Sequence, residues 1–226
     1  MRVVKPTLIV ATLAVFVCMG LVAAQGSSTA REILTLDDRD NAVATAPAWS
    51  EQDANKRIHL TPLEAMTAAE DGTLAGNLKS LLKVDRQLAY GEFLWDADGV
   101  PPGELLIRVD LRTQLMSVFQ GGHEIGTAVI LYGADSHMTP MGSFPIAEKN
   151  RDYHSRTYDA PMPYSLRLTE DGVAIHGSDV RRGSATHGCV GIPLEFASLL
   201  FEKAKQGDVV QIVRSQRDPD RASRLM

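Results

Sequence analysis

Cysteine is scarce in this sequence, and a block of basic residues is missing altogether. The 226 residues include only two cysteines, which excludes a small scaffold held together by several disulfides. The formal net charge is −5 and the lysines and arginines are dispersed, so no basic face is available to neutralise nucleic-acid phosphates. Hydrophobic residues nevertheless make up 44% of the chain, enough for a sizeable core. We therefore expect an ordinary globular domain with no nucleic-acid partner.

Long apolar runs are also rare, and the one over residues 7–24 is N-terminal. It follows Arg2 and Lys5 and ends in small residues, a pattern typical of a secretory signal peptide. A retained membrane anchor is the alternative, since the run approaches the length of a membrane span. Both alternatives predict export to the periplasm or cell envelope, and the second adds a tether to the inner membrane.

Signal cleavage after residue 24 would remove Cys18 and leave Cys189 as the single thiol. Exported proteins usually pair their cysteines, because the compartment oxidises exposed thiols. A lone cysteine is then either a small buried core residue or a chemically active group.

The segment before residue 100 divides into a linker and a helical part. Residues 25–60 are polar and lack apolar periodicity, which predicts a flexible linker. Thr61, Pro62 and Glu64 form a capping-box pattern that predicts a helix ending near Gly72. Leucines at helical spacing predict a second helix over 74–89. The expected helical segment is 61–99.

From residue 104 the apolar pattern changes to the alternation of β-strands, and the expected fold class is mainly β. Gly121-Gly122 and Asp171-Gly172 are hairpin-turn signals. Pro193 begins one helix that Gly207 ends. The pattern predicts a domain over 100–214 and a frayed tail over 215–226, with strands over 104–111, 115–120, 125–132, 144–149, 165–169, 173–176 and 208–213.

The residues that carry chemistry lie in two short segments, His176-Gly177 and His187-Gly188-Cys189. A free thiol is mostly protonated at neutral pH, and an imidazole within reach can accept its proton and later return it to a leaving amine. A glycine beside the cysteine lets backbone amides approach a developing oxyanion. Two histidines near one thiol, in a glycine-containing loop, favour a cysteine nucleophile over structural histidines.

Two other chemistries remain as alternatives. His176, His187 and Cys189 could bind zinc and leave one position open for water, although no carboxylate in the motif would serve as a base. Disulfide exchange is disfavoured, because a mature chain would have no second cysteine to resolve a mixed disulfide.

The pattern resembles the L,D-transpeptidase catalytic domain family, which has the YkuD-type fold. The family signature is His-Gly, a spacer, and then Ser/Thr-His-Gly-Cys with a hydrophobic residue, present here as His176-Gly177 and 186–190. The likeness extends over about 104–213 and includes the segments 139–144 and 162–164. It implies a β-sandwich-like catalytic domain with one helix after the cysteine, preceded by a short helical segment.

The resemblance also implies roles for residues. Cys189 would be the nucleophile, His176 the base, and the carbonyl group of Gly177 would orient its ring. His187 would support the site, and Met162 and Tyr164 would line the substrate side. Such enzymes act on peptidoglycan stem peptides, need no metal or cofactor, release D-alanine, and transfer the acyl group to an amine or, as carboxypeptidases, to water.

One position departs from the family pattern. Gly191 stands where the family usually has arginine or asparagine, which suggests altered acceptor choice or lost activity. We consider Arg181 or Arg182 as a replacement positive charge, the alternative being two solvated loop arginines. His154 and Tyr158 are candidates to shape the same cleft. A catalytically silent wall-binding or scaffolding module remains the alternative function.

Overall fold

The computed structural model of the protein describes residues 56–70, 77–134 and 137–215. These residues form twelve strands and two helices. The strands are β1 (Arg57–His59), β2 (Ser80–Leu82), β3 (Phe93–Trp95), β4 (Leu105–Asp110), β5 (Leu115–Gln120), β6 (His123–Val129), β7 (Gly142–Pro145), β8 (Glu148–Ser155), β9 (Ala160–Arg167), β10 (Ala174–Ser178), β11 (Val190–Pro193) and β12 (Val209–Val213), and the helices are α1 (Pro62–Glu70) and α2 (Leu194–Lys203).

The strands form two sheets in the described residues, with the main hydrophobic core between them. One sheet has eight strands in the order β1-β2-β6-β5-β4-β12-β7, with β3 paired to β6. The other has the order β11-β10-β9-β8. Fully buried side chains such as Ile107 and Val118 from the larger sheet and Leu166 and Ile175 from the smaller one belong to one cluster. The predicted mainly β, sandwich-like fold class is confirmed.

The alternating strands from residue 104 form where the sequence predicts them. The β4–β5 pair is antiparallel, and Ile107, Val109, Met116 and Val118 are fully buried because their side chains share the core face. Gly121 and Gly122 connect β5 to β6 with φ values of 57° and 88°, a backbone conformation that glycine adopts without a steric penalty.

Two strand predictions need correction. The single strand predicted over 144–149 is two strands, β7 and β8, which belong to different sheets. The chain leaves the larger sheet where the amide of Ile146 donates to the carbonyl of Asp208, and β8 then continues to Ser155 as the edge of the smaller sheet. Strand β9 begins at Ala160, before the predicted start, because it pairs with β8 over nearly its whole length.

Helix α1 confirms the capping box. The amide of Thr61 donates to the Glu64 carboxylate at 2.8 Å, and the Glu64 amide donates to the Thr61 hydroxyl at 3.3 Å. Each residue thus satisfies a donor that the first helical turn leaves unpaired.

The second predicted helix is wrong over the residues described from 77 onward. Ser80–Leu82 is strand β2, which pairs with β1 and meets β6 beside Ser80. Leu78 and Leu82 are buried in this extended segment, so the leucine spacing reflects packing on the sheet rather than a helical stripe. The expected linker also ends earlier, because Arg57–His59 is β1.

Helix α2 follows the cysteine segment as predicted, but it ends at Lys203, before the predicted 206. The ammonium group of Lys149 donates to the carbonyls of Phe201 at 2.6 Å and Ala204 at 2.5 Å, which completes the helix end at that point. Phe196 anchors the helix. It is fully buried and packs edge-on against Trp95, with ring centroids 5.3 Å apart.

Several predictions lie outside the described residues. They are the signal peptide or anchor at 1–24, most of the linker, and the tail from residue 216. Within the ranges that the structure does describe, no helix is long and apolar enough to cross a membrane.

Candidate active site

Cys189 lies immediately before β11, on the parallel ladder that joins β11 to β10. In this ladder Ile175 is opposite Val190 and His176 is opposite Gly191. Side chains alternate along a strand, so Cys189, two residues before Gly191, is placed on the same face as His176. The fold therefore brings the two most important predicted residues to one edge of the smaller sheet.

The thiol of Cys189 is half-buried against the turn between β9 and β10. Its Sγ atom lies 3.9 Å from the carbonyl oxygen of Gly172, and the amide of Ala174 donates toward it. Burial raises the pKa of the Cys189 thiol and the charge of Asp171 adds to this, while the Ala174 amide acts in the opposite direction. The thiol is consequently protonated at neutral pH. Among the described residues Cys189 is the free cysteine.

His176 is 9% exposed, and the Nδ1 atom of its ring lies 2.9 Å from the carbonyl oxygen of Gly177. This contact is the one that the resemblance implied. Burial lowers the pKa of His176, with a smaller opposing effect from the Gly177 hydrogen bond. The imidazole is therefore neutral at neutral pH and can accept a proton.

The loop that carries Cys189 is held by a segment from the larger sheet. Leu131 and Gly191 exchange backbone hydrogen bonds of 2.8 and 3.0 Å, and the Thr186 amide donates to Tyr132 at 3.1 Å. Gly133 packs so closely on Gly188 that a Cβ at Gly133 would lie 2.9 Å from its backbone. Gly188 has a φ of 106°, a backbone conformation that glycine adopts readily. Gly133, which packs on it, has no room for a side chain.

The Thr186 side chain closes the same loop. Its hydroxyl donates to the carbonyl oxygen of Cys189 at 2.5 Å. This bond fixes the turn that presents the cysteine, which gives the Thr-His-Gly-Cys spacing a structural cause.

His187 is exposed and takes part in ring stacking. Its ring stacks on Tyr158 with centroids 4.6 Å apart and an interplanar angle of 19°, and it meets His137 edge-on at 5.5 Å. Tyr158 thus connects the turn between β8 and β9 to the cysteine loop. His154 instead pairs with Asp159 at 3.8 Å.

Gly191 is enclosed by its neighbours. A Cβ there would lie 3.0 Å from the Cβ of Ser178 and 3.4 Å from the Cβ of Leu131. The larger residue that the family usually has at this position would require Ser178 to move. The packing around position 191 in this chain therefore suits glycine.

The loop arginines do not approach this position through any of their described contacts. Arg181 binds Asp179 through Nε at 2.8 Å and Nη2 at 2.7 Å, and both side chains are mostly exposed. Arg182 is exposed. The structure gives no support to either as a replacement for a charge at Gly191.

The two substrate-side residues lie on β9. Met162 is buried. Tyr164 has a φ of 57°, packs edge-on against Phe201 with centroids 5.8 Å apart, and lies under the guanidinium of Arg151. These contacts place Tyr164 toward α2. Its role in substrate binding stays a prediction.

Two cavities flank the site, and the sequence pointed to neither. A groove of about 510 Å³ lies beside Gly177 and Ser178 and is bounded by Pro163, Leu194 and Gly91. It adjoins the site without being lined by Cys189 or His176. A smaller recess lies on the other side, between β8, β9 and β10. Its residues come from three strands, and strand pairing was not evident from the sequence.

The zinc alternative requires three ligands to converge. Over the described ranges, no group of three His, Cys, Asp or Glu side chains is placed to hold a metal ion. His187 stacks on Tyr158 and His137, as described above, rather than joining His176.

A protonated thiol and a neutral, oriented imidazole lie on one sheet face, and groups of these two types can serve as nucleophile and base in acyl transfer. The sequence around this site matches a known family. Residues 104–212 match the family model of the L,D-transpeptidase catalytic domain, YkuD. Over these residues the chain is similar to the L,D-transpeptidase catalytic domains of the YkuD family.

The chain is also similar, over about half of its length, to solved structures of L,D-transpeptidases. The L,D-transpeptidase from Stackebrandtia nassauensis is 23% identical, with a TM-score of 0.47 over 51% of this chain and 58% of that one. L,D-transpeptidase 1 from Mycobacterium tuberculosis is 25% identical, with a TM-score of 0.42 over 49% and 62%. A mutant L,D-transpeptidase from Enterococcus faecium is 25% identical, with a TM-score of 0.45 over 49% and 50%.

The present chain thus spans between 50% and 62% of the length of these three proteins. No curated protein matches it.

Proposed function

We propose that this protein is a peptidoglycan L,D-transpeptidase that acts through an acyl-enzyme on Cys189. The observation that carries the proposal is the placement of Cys189, immediately before β11, on the same sheet face as His176 of the adjacent strand β10, within a domain that matches the YkuD family model. The donor would be a stem peptide whose third residue is a diamino acid and whose fourth is D-alanine.

The first half of the reaction uses the neutral pair that the site contains. Nε2 of His176 takes the thiol proton as Sγ attacks the carbonyl carbon between the diamino acid and D-alanine. The tetrahedral intermediate collapses, the C–N bond breaks, and His176 returns the proton to the leaving amine of D-alanine. A thioester between Cys189 and the third residue remains.

The second half regenerates the thiol. An amine from another stem attacks the thioester carbonyl, His176 takes a proton from that amine, and the proton returns to the leaving sulfur. The product is a cross-link between two third residues. Water in place of the amine gives a tripeptide, which is the carboxypeptidase outcome.

We further propose that the enzyme works outside the cytoplasm, in the periplasm or cell envelope. The proposal is supported by the signal-like residues 1–24 and by a substrate that lies in the cell wall. Fractionation of cells that express the full chain, with N-terminal sequencing of the exported product, distinguishes a cleaved signal from a retained anchor. Recovery in the cytoplasm with an intact N-terminus would contradict the proposal.

The activity is tested by incubating the purified protein with a donor tetrapeptide and an amine acceptor, with products identified by mass spectrometry. Wild type should release D-alanine and form the cross-link, whereas Cys189→Ala and Cys189→Ser should do neither. A folded wild-type protein with a free thiol that leaves the donor intact would overturn the proposal and favour a silent wall-binding module.

A further inference from the structure

Thr139 is a buried residue to which the proposed reaction gives no part. It is 5% exposed and lies in the segment between β6 and β7. Its Oγ1 atom accepts a hydrogen bond from the amide of Gly133 at 2.9 Å. The bond joins two points of the chain that are six residues apart, so it closes a turn that begins at Gly133.

The other side of Gly133 faces the loop that carries the cysteine. Gly133 and Thr186 form a parallel bridge. The Thr186 amide donates to the carbonyl of Tyr132 at 3.1 Å, and the Ala134 amide donates to that of Thr186 at 3.3 Å. In such a bridge both hydrogen bonds go to the neighbours of Gly133, so its own amide points away from the loop. Thr139 satisfies that amide, and the chain at Gly133 is thus held from both sides.

The closed turn supports the glycine that precedes the nucleophile. A Cβ at Gly133 would lie 2.9 Å from both the Cα and the N atom of Gly188. A Cβ at Gly188 would lie 3.7 Å from the carbonyl oxygen of His137 and 3.8 Å from that of Met138. The turn therefore meets Gly188 through backbone atoms, and a shift of the turn would move Gly188 with it.

The thiol itself is held by different elements. Sγ of Cys189 lies 3.9 Å from the carbonyl oxygen of Gly172, and the Ala174 amide donates toward it. Ala174 begins β10, and Gly172 lies in the turn just before that strand. The smaller sheet thus surrounds the sulfur, whereas Thr139 acts on the backbone that carries it. A change at Thr139 can disturb the second without the first.

We propose that Thr139 is a positioning residue for acyl transfer at Cys189. By closing the turn against Gly188, its hydroxyl fixes the backbone that carries the nucleophile and the amides beside it. Such amides stabilise the negative oxygen of the tetrahedral intermediate only when they are already in place. A displacement of about 1 Å in a reacting site costs about a hundredfold in rate. The inference rests on the proposed function, because it concerns the acylation step.

Thr139→Val tests the role of the hydroxyl, because valine has nearly the shape of threonine and cannot accept the hydrogen bond. The kcat for D-alanine release should fall about tenfold to a hundredfold, with KM within about twofold of wild type. Alkylation of Cys189 by iodoacetamide forms no oxyanion, and its rate should stay within about threefold of wild type. Partial unfolding would instead expose the half-buried thiol and speed its alkylation.

Thr139→Ser and Thr139→Ala form a matched pair that differs by one oxygen atom. The serine variant retains the acceptor for the Gly133 amide, so its kcat should stay within about threefold of wild type. The alanine variant should lose as much kcat as Thr139→Val. This pair measures the effect of the hydroxyl even if valine prevents folding at position 139.

Thr61→Val is the control for the loss of a threonine hydroxyl elsewhere. Oγ1 of Thr61 accepts from the Glu64 amide at 3.3 Å, at the start of α1. The variant should lose stability through the missing helix cap, yet its kcat should stay within about twofold of wild type. Kinetics are measured well below the melting temperature of each variant, so unfolded protein does not contribute to the differences.

The outcomes distinguish the inference from the proposed function. Wild-type kcat in Thr139→Val and Thr139→Ala, equal losses in the serine and alanine variants, or equal losses of D-alanine release and alkylation would each overturn the role of Thr139 while transpeptidation stands. Folded wild type that releases no D-alanine would contradict the proposed function, and the inference would fall with it.

Discussion

Nδ1 of His176 lies 2.9 Å from the carbonyl oxygen of Gly177. A carbonyl oxygen accepts hydrogen bonds and cannot donate, so Nδ1 carries the ring proton and Nε2 presents a lone pair. The backbone thereby fixes the tautomer that a general base for the Cys189 thiol requires. No carboxylate is needed for this orientation.

The first prediction follows from that tautomer. His176→Gln should lower kcat for D-alanine release by about a hundredfold to ten thousandfold, because the proton acceptor is lost while the fold is retained. His187→Gln should cost much less, since His187 is exposed and stacks on Tyr158, whereas His176 is buried on the strand beside the cysteine. Steady-state kinetics with one donor peptide compares the two variants. Equal losses would contradict the different roles proposed for the two histidines.

The second prediction concerns the resting state of the nucleophile. Burial raises the pKa of the Cys189 thiol and lowers that of His176, so the pair rests as thiol and neutral imidazole. Alkylation by iodoacetamide should therefore be slow at neutral pH and reach half its maximal rate at a higher pH than in the denatured chain.

A charge variant provides the control for this prediction. Asp171 raises the pKa of the thiol, so Asp171→Asn should move the alkylation midpoint to lower pH without changing the profile of the denatured protein. A native midpoint below the denatured one would instead indicate a preformed thiolate–imidazolium pair.

The third prediction tests why glycine occupies position 191. A side chain there meets Ser178, whose Cβ would be 3.0 Å away. Gly191→Asn should lower the free energy of unfolding by about 1–3 kcal/mol, which is typical of overpacking a buried site. Adding Ser178→Gly should recover part of this loss, and denaturant unfolding of the four proteins in the cycle measures the coupling. Additive effects would mean that Ser178 is not the obstacle.

The fourth prediction concerns a buried polar contact that joins β2 to β6 within the larger sheet. Oε2 of Glu124 accepts from the Leu82 amide at 2.8 Å, and Glu124 is only 5% exposed. Glu124→Ala would leave that amide unpaired and should cost about 1–3 kcal/mol of unfolding free energy. Glu124→Gln retains an acceptor and should cost less.

The pH dependence of stability provides an independent check. Burial raises the pKa of Glu124 in the folded state. Its contribution to stability is present below the ordinary pKa of glutamate and is lost as pH rises toward the folded value. As pH rises from the ordinary pKa of glutamate toward the folded-state pKa of Glu124, the free energy of unfolding of wild type should therefore fall relative to that of Glu124→Gln. A constant difference between the two proteins across this pH range would contradict the direction of the shift.

Local sequence patterns predicted much of the larger sheet. Strands β4 and β5 alternate cleanly because one face is buried, and Gly121-Gly122 connects β5 to β6 with the expected positive φ values. The Thr61–Glu64 capping box formed as predicted, because its hydrogen bonds are between near neighbours in sequence. The cysteine and histidine segments were evident from residue type and spacing alone.

Contacts between distant segments were the part that the sequence did not predict. Strand β8 is polar on both faces and has no alternation, and only its pairing with β9 makes it a strand. The leucines near residue 80 fit a helical period, yet pairing with β1 and β6 determines their conformation. The small recess between β8, β9 and β10 was missed for the same reason, since Glu148, Arg167 and Ala174 come together only through strand register.

Intact-mass analysis after rapid quenching, with a donor tetrapeptide and no amine acceptor, tests the central claim most directly. Wild type should gain the mass of the donor minus D-alanine, at one equivalent and on Cys189, and Cys189→Ala should gain nothing. Folded wild-type protein with a free thiol, no adduct and an intact donor would contradict the acyl-enzyme mechanism.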